Sequence, residues 1–123
     1  MTSKMYIAVL DEVNDFMVPT LVAHSVLNAH RHFTGFYFEV ETSELYSAYL
    51  KYRMWLENSF RKVVVRVNRK EFDKIRTTLM CWEGHENTTL DGETSCLVVL
   101  PCDSDNVPNV LKFAKMWKPK ETQ

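Results

Sequence analysis

Four residues in this sequence, two of them adjacent, carry side chains of the types that move protons or meet developing charge. His24 offers an imidazole able to act as a base near pH 7. Glu83, between Trp82 and Gly84, is a carboxylate placed to orient a water or to hold His24, and the adjacent aromatic is expected to raise its pKa by desolvation. Thr94 and Ser95 set two hydroxyls side by side, of which Ser95 is the candidate for a catalytic or ligand role. Each has an ordinary counterpart: a packed or half-exposed helical histidine, a plain loop carboxylate, and strand hydroxyls that bond across a sheet.

Binding chemistry is written more densely. Arg61, Lys62, Arg66, Arg69, Lys70, Lys74 and Arg76 stand against only Glu71 and Asp73, and the first five of them are the candidate phosphate-contacting set. Lys112, Lys115, Lys118 and Lys120 form a second basic cluster. If the two clusters share a face they make a phosphate-binding surface, whereas on separate faces they are ordinary solvated charge. Tyr46, Tyr49, Tyr52 and Trp55 recur every third residue, a spacing that serves either base stacking or a helix stripe packed on a sheet. His30 and His32 form H-x-H, which on a helix turns the rings to different sides, so no metal site is expected there.

Composition removes several classes of function. A chain of 123 residues with 46% hydrophobic and 25% charged side chains makes one compact domain, and a net charge of -1 means that any nucleic-acid binding comes from a local patch. The three glycines, Gly35, Gly84 and Gly92, spell neither dinucleotide nor P-loop phosphate cradles, so no nucleotide cofactor is expected. Cys81, Cys96 and Cys102 form no C-x-x-C pair and suggest a reducing, cytoplasmic setting. The apolar stretch Met5 to Leu10 is too short for a signal-peptide core, and no run approaches the roughly 18 residues of a membrane span. The expectation is no export and no membrane. Oligomeric state is not legible.

The elements that must position these groups follow from periodicity. Tyr6 to Leu10 is a continuous apolar run, which predicts a central strand buried on both faces. Pro19 suits a first helical turn, and Val18, Val22, Val26 and Ala29 predict an amphipathic helix to about Phe33. Phe36 to Val40 reads as extended or irregular. Thr42 or Ser43 then caps a second helix marked by Leu45, Tyr49, Tyr52, Leu56 and Phe60. Lys62 to Val67 is a β-branched strand, and Lys70 to Met80 a helix with Phe72, Ile75 and Leu79 on one side. Asp91-Gly92 predicts a hairpin between Thr88 to Leu90 and Ser95 to Leu100. Pro101 stops that strand. Asp105 or Asn106 caps a last helix with Pro108 in its first turn and Val107, Val110, Leu111, Ala114 and Trp117 facing inward. The result is an α/β single domain of order β-α-α-β-α-β-β-α, a mixed four-stranded sheet flanked by helices.

That order and several of its residues resemble the archaeal and eukaryotic type of peptidyl-tRNA hydrolase (type II) and its uncharacterised relatives, over most of the chain. The family writes its first helix roughly M-x-x-G-K-x-A-A-Q-x-x-H-A. Here Phe16 to Ser25 follows it, with His24 at the histidine, Met17 in place of the lysine and Leu21 in place of the glutamine. Glu83-Gly84-His85-Glu86-Asn87 lies where the family has D-A-G-x-T, and Gly92-Glu93-Thr94-Ser95 where it has G-x-x-T. Leu97 to Pro101 matches its closing strand. The resemblance implies cleavage of the ester between a peptide and the 3′ ribose of tRNA, with His24, Glu83 and Ser95 at the site and tRNA as partner. Met17 removes a cation, and losing one donor to the developing oxyanion costs on the order of 100- to 1,000-fold in rate. Two expectations follow: a tRNA-binding protein with weak or no hydrolysis, or a non-catalytic module that keeps the scaffold and binds a protein.

Overall fold

A computed structural model describes residues 2–34, 44–86 and 90–120. The apolar run becomes β1 (Ser3–Leu10), followed by a 3-10 turn over Asp15–Met17 and then α1 (Val18–Thr34). α2 (Glu44–Glu57), β2 (Arg61–Val67), α3 (Arg69–Thr78), β3 (Cys81–Glu86) and β4 (Glu93–Val99) come next. The chain ends with β5 (Cys102–Asp103), α4 (Asn109–Lys112) and β6 (Lys115–Met116). The sheet runs β3-β4-β1-β2-β6, with β5 also paired to β1. β1 and β2 are parallel and every other pair is antiparallel, so the sheet is mixed.

Both faces are covered, as the uninterrupted apolar run of β1 requires, because successive strand residues point to opposite sides. Met5, Ile7 and Val9 lie with Cys96 and Val98 on the side of α1 and α2. Ala8 and Leu10 lie with Val65, Val67 and Leu97 on the side of α3. Phe72 and Ile75 of α3 are both fully buried, each contributing about 1.5–3 kcal/mol of transfer free energy. A capping box fixes where α3 starts: the Glu71 amide donates to Asn68 Oδ1 (2.8 Å) and the Asn68 amide donates to the Glu71 carboxylate (2.9 Å).

Three expectations change. The described partner of β4 is Cys81–Glu86; of the expected strand Thr88 to Leu90, Thr88 and Thr89 lie outside the described residues, and the Leu90 carbonyl accepts from the Glu93 amide in a turn (2.9 Å). Asp91 and Gly92 do take positive φ (52° and 75°), so the dipeptide makes its turn, at the entry to β4 in the connection from β3. Second, the terminal helix is a single turn with Pro108 at its N-cap, and the chain then extends. The open edge of β2 offers unpaired backbone groups, which Lys115, Met116 and the Trp117 amide (2.8 Å to the Val64 carbonyl) take up. Third, among the described residues the sheet has four long strands and two of two residues, where four strands were expected. Phe60 lies beyond α2, at φ 54° in the turn to β2. The segment Phe36 to Val40 and the caps Thr42 and Ser43 lie outside the described residues.

Candidate functional site

His24 and Glu83 lie on opposite sides of the sheet. α1 crosses β3 at Gly84, where the close approach demands glycine: a Cβ there would stand 1.8 Å from Ser25 Oγ. Ser25 is buried and donates to the Leu21 carbonyl (2.7 Å), and its neighbour His24 is therefore turned outward and exposed. Since Gly84 faces α1, Glu83 faces the opposite side of the sheet. There its carboxylate accepts from Thr94 Oγ1 (2.7 Å) and pairs with Arg76 of α3 (3.1 Å). The Thr94 hydrogen bond, with Arg76 adding to it, holds the Glu83 pKa below the ordinary value. This reverses the expected upward shift, because Trp82 is directed away from Glu83, onto Phe33 (4.0 Å between centroids). Ser95 is fully buried. Gly84 pairs with Cys96 and His85 with Thr94, so Ser95 is the extra residue of a β-bulge, and its Oγ has no hydrogen-bond partner among the described residues.

No thiol takes over as a nucleophile. Burial pushes the Cys81 thiol up to about 11 and that of Cys96 up to about 12, and raises Cys102 as well, so none is a thiolate at neutral pH. Among the described residues no group of three or more His, Cys, Asp and Glu side chains stands together as metal ligands. His30 Nδ1 meets the Tyr52 hydroxyl (2.8 Å), while His32 lies against Trp82. Tyr52 and Trp55 are buried, so that part of the aromatic stripe is core. No helix among the described residues is long and apolar enough to cross a membrane. An open cleft of about 800 Å³ sits at the end of the sheet where β1 begins, between Ser3, Met54, Met80, Cys102 and Asp103, and none of the nominated residues lines it.

The five candidate cations separate into different kinds. Arg69 is spent: its guanidinium holds Glu12 (2.6 Å) and Glu93 (2.5 Å), tying the loop after β1 to the start of β4, and those hydrogen bonds raise its pKa further. Arg66, on β2, donates through Nη2 to Asp15 (3.1 Å) and to the Lys118 carbonyl (2.7 Å), with its guanidinium 5.1 Å from the Trp117 ring centroid. Lys62 is exposed and donates to the Phe60 carbonyl (2.7 Å), with its ammonium 3.2 Å from the Phe60 ring centroid. Partial burial lowers its pKa. Arg61 and Lys70 are both exposed and lie at opposite ends of the stretch.

The tertiary structure adds the second cluster to this edge. β6 lies antiparallel to β2 with Lys115 directly across from Arg66, and the chain then crosses toward the start of α1, where the Lys120 amide donates to Asp15 (2.6 Å) and Lys120 Nζ to the Asp11 carbonyl (3.2 Å). Arg61, Lys62 and Arg66 on β2 and Lys115, Lys118 and Lys120 on the returning segment thus border one sheet edge. Sequence reasoning missed Asp15 as the partner of Arg66, and missed Trp117, read as an inward helical residue. The only signal for either was the run of lysines around Trp117. Met17 is half-buried in the 3-10 turn, two residues from Asp15, whose carboxylate accepts from Arg66 and from the Lys120 backbone amide.

No protein-family model matches the chain, and no curated protein matches it.

Proposed function

We propose that this protein is a peptidyl-tRNA hydrolase-like scaffold that binds tRNA, or an aminoacyl- or peptidyl-tRNA-type ligand, through the β2–β6 edge, without hydrolysing the ester. One observation carries the reading: the pairing of Lys115 with Arg66 joins two basic segments far apart in sequence on a single edge. Clustered cations of this kind bind phosphates by releasing condensed counterions. Against hydrolysis stand the exposed His24, the Arg76-paired Glu83 on the other side of the sheet and the buried Ser95.

Binding of an acceptor-stem RNA hairpin is expected to weaken steeply as salt rises, and Lys115→Glu with Lys118→Glu should lower the slope of log affinity against log salt by about one for each phosphate that is no longer neutralised. Lys51→Glu, on α2 beside the cleft, should leave it unchanged. Affinity indifferent to salt, or equal loss from Lys51→Glu, defeats the reading. Turnover of peptidyl-tRNA is expected to stay at the uncatalysed rate in the unmodified protein and in Met17→Lys. A second reading, a non-catalytic module that binds a protein, is favoured by Phe113 and Met116, which are 73% and 71% exposed beside the same edge. Salt-indifferent capture abolished by Phe113→Ser would support it.

A further inference from the structure

We propose that the junction of Arg66, Trp117 and Lys115 is a binding site for one phosphoryl oxyanion. Two donors there have no acceptor. Arg66 Nη1 and the Trp117 indole Nε1 are both sealed from solvent and neither finds a hydrogen-bond partner among the described residues. They belong to neighbouring groups, the guanidinium lying 5.1 Å from the indole centroid. A buried donor left unpaired costs about 1–3 kcal/mol, so each of these two, on neighbouring groups, calls for an acceptor.

A second observation specifies its charge. Arg66 and Lys115 are direct cross-strand partners, and like charges opposite one another on a ladder repel. The carboxylate that answers Arg66 is Asp15, which also accepts from the Lys120 amide, and Lys118 and Lys120 bring further ammonium groups to the same segment. A water would accept from both N–H groups but leave the repulsion in place. A phosphoryl group supplies several acceptor oxygens and the negative charge, and the planar guanidinium already has its other arm fixed by Asp15 and the Lys118 carbonyl. Lys115 and Lys118 are exposed while the two donors are not, so the segment Trp117–Lys120 must give way as the oxyanion enters. The site deepens the reading of the basic edge as a phosphate-binding surface, yet it fails or survives separately.

The test is titration of the isotope-labelled full chain with inorganic phosphate at constant ionic strength set by chloride, following the indole N–H resonances. Expected is a saturable shift of the Trp117 indole signal, while Trp55, whose indole donates to the Arg61 carbonyl (2.7 Å), stays still. Trp117→Phe keeps an aromatic ring and loses the donor, and Lys115→Gln touches only an exposed side chain. Each is expected to weaken phosphate binding, followed by the rise in melting temperature that bound ligand confers, about tenfold. No saturable shift, or phosphate binding unchanged in both variants, overturns the site. With the RNA hairpin as the second probe, salt-dependent binding that leaves the Trp117 indole unmoved also overturns the site while the edge reading stands. A phosphate response without RNA binding supports the site and defeats the edge reading.

Discussion

Arg66 and Arg69 come from the same basic stretch, three residues apart, and end in opposite electrostatic circumstances. Arg69 sits at the start of α3 and closes on two carboxylates, Glu12 and Glu93, so its charge is answered and its fork is occupied. Arg66 lies on β2, meets one carboxylate and one carbonyl, keeps Nη1 without an acceptor among the described residues, and has Lys115 across the ladder. Composition counts the two as equal contributors to a basic patch. What separates them is which segments return to them: the acidic loop after β1 and the start of β4 in one case, the lysine-bearing end of the chain in the other. A basic cluster is a binding surface only where the fold fails to neutralise it.

The largest effect that can break this contrast is on stability. Arg66→Ala removes a charge-assisted bond to the Lys118 carbonyl and the stem that lies by Trp117, and is expected to cost about 2 kcal/mol in urea unfolding. Arg69→Ala, whose pairs are open to solvent and screened by salt, should shift the melt less. The contrast is wrong if the two variants are equally destabilised. Next in size, Lys115→Glu places opposite charges across the ladder. It is expected to stabilise the fold by about 0.5 kcal/mol while weakening RNA binding, a pair of opposite signs that a purely structural lysine would not produce.

Acid sensitivity sharpens the same comparison. Both counter-ions titrate below their ordinary values: Asp15 chiefly through the Lys120 amide and then Arg66, Glu12 chiefly through its hydrogen bond to Arg69. A carboxylate whose pKa is depressed on folding stabilises the fold above its unfolded pKa, about 4, and that contribution is lost as pH falls through the folded value. Asp15→Asn and Glu12→Gln should therefore each flatten the acid limb of the pH–stability profile and leave its slope unchanged above about pH 5, the upper end of the carboxylate range. A limb as steep as that of the unmodified protein in both variants would show that neither pair titrates with folding. The smallest effect lies away from the edge: Thr94→Val deletes the main hydrogen bond that depresses Glu83, so the Glu83 carboxyl should titrate closer to its ordinary value by carbon-detected NMR, with Arg76 still holding it somewhat low.

The sequence by itself determined the layers of this protein. Continuous apolarity in Tyr6 to Leu10 required a sheet covered on both faces, the helical three-residue spacing of Phe72 and Ile75 placed α3 on it, and Asp91-Gly92 set a turn with positive φ. These are local properties, in which each residue's partners lie within a turn of helix or across one short connection. Tertiary structure alone decided the rest. Whether β4 paired with Cys81–Glu86 or with Thr88 to Leu90 depended on long-range register, since both segments follow α3 and the turn signal is indifferent to which is chosen. Whether the chain after Lys112 stayed helical depended on the vacant edge of β2, which lies far earlier in the chain and leaves no mark on the local pattern. The separation of His24 from Glu83 has the same origin: alternation along β3 sends Gly84 to α1 and Glu83 to α3, while a bulge leaves Ser95 buried. A one-residue change of register reverses which face a strand residue joins, so the convergence of side chains from separate strands is a property of pairing that composition and spacing do not carry.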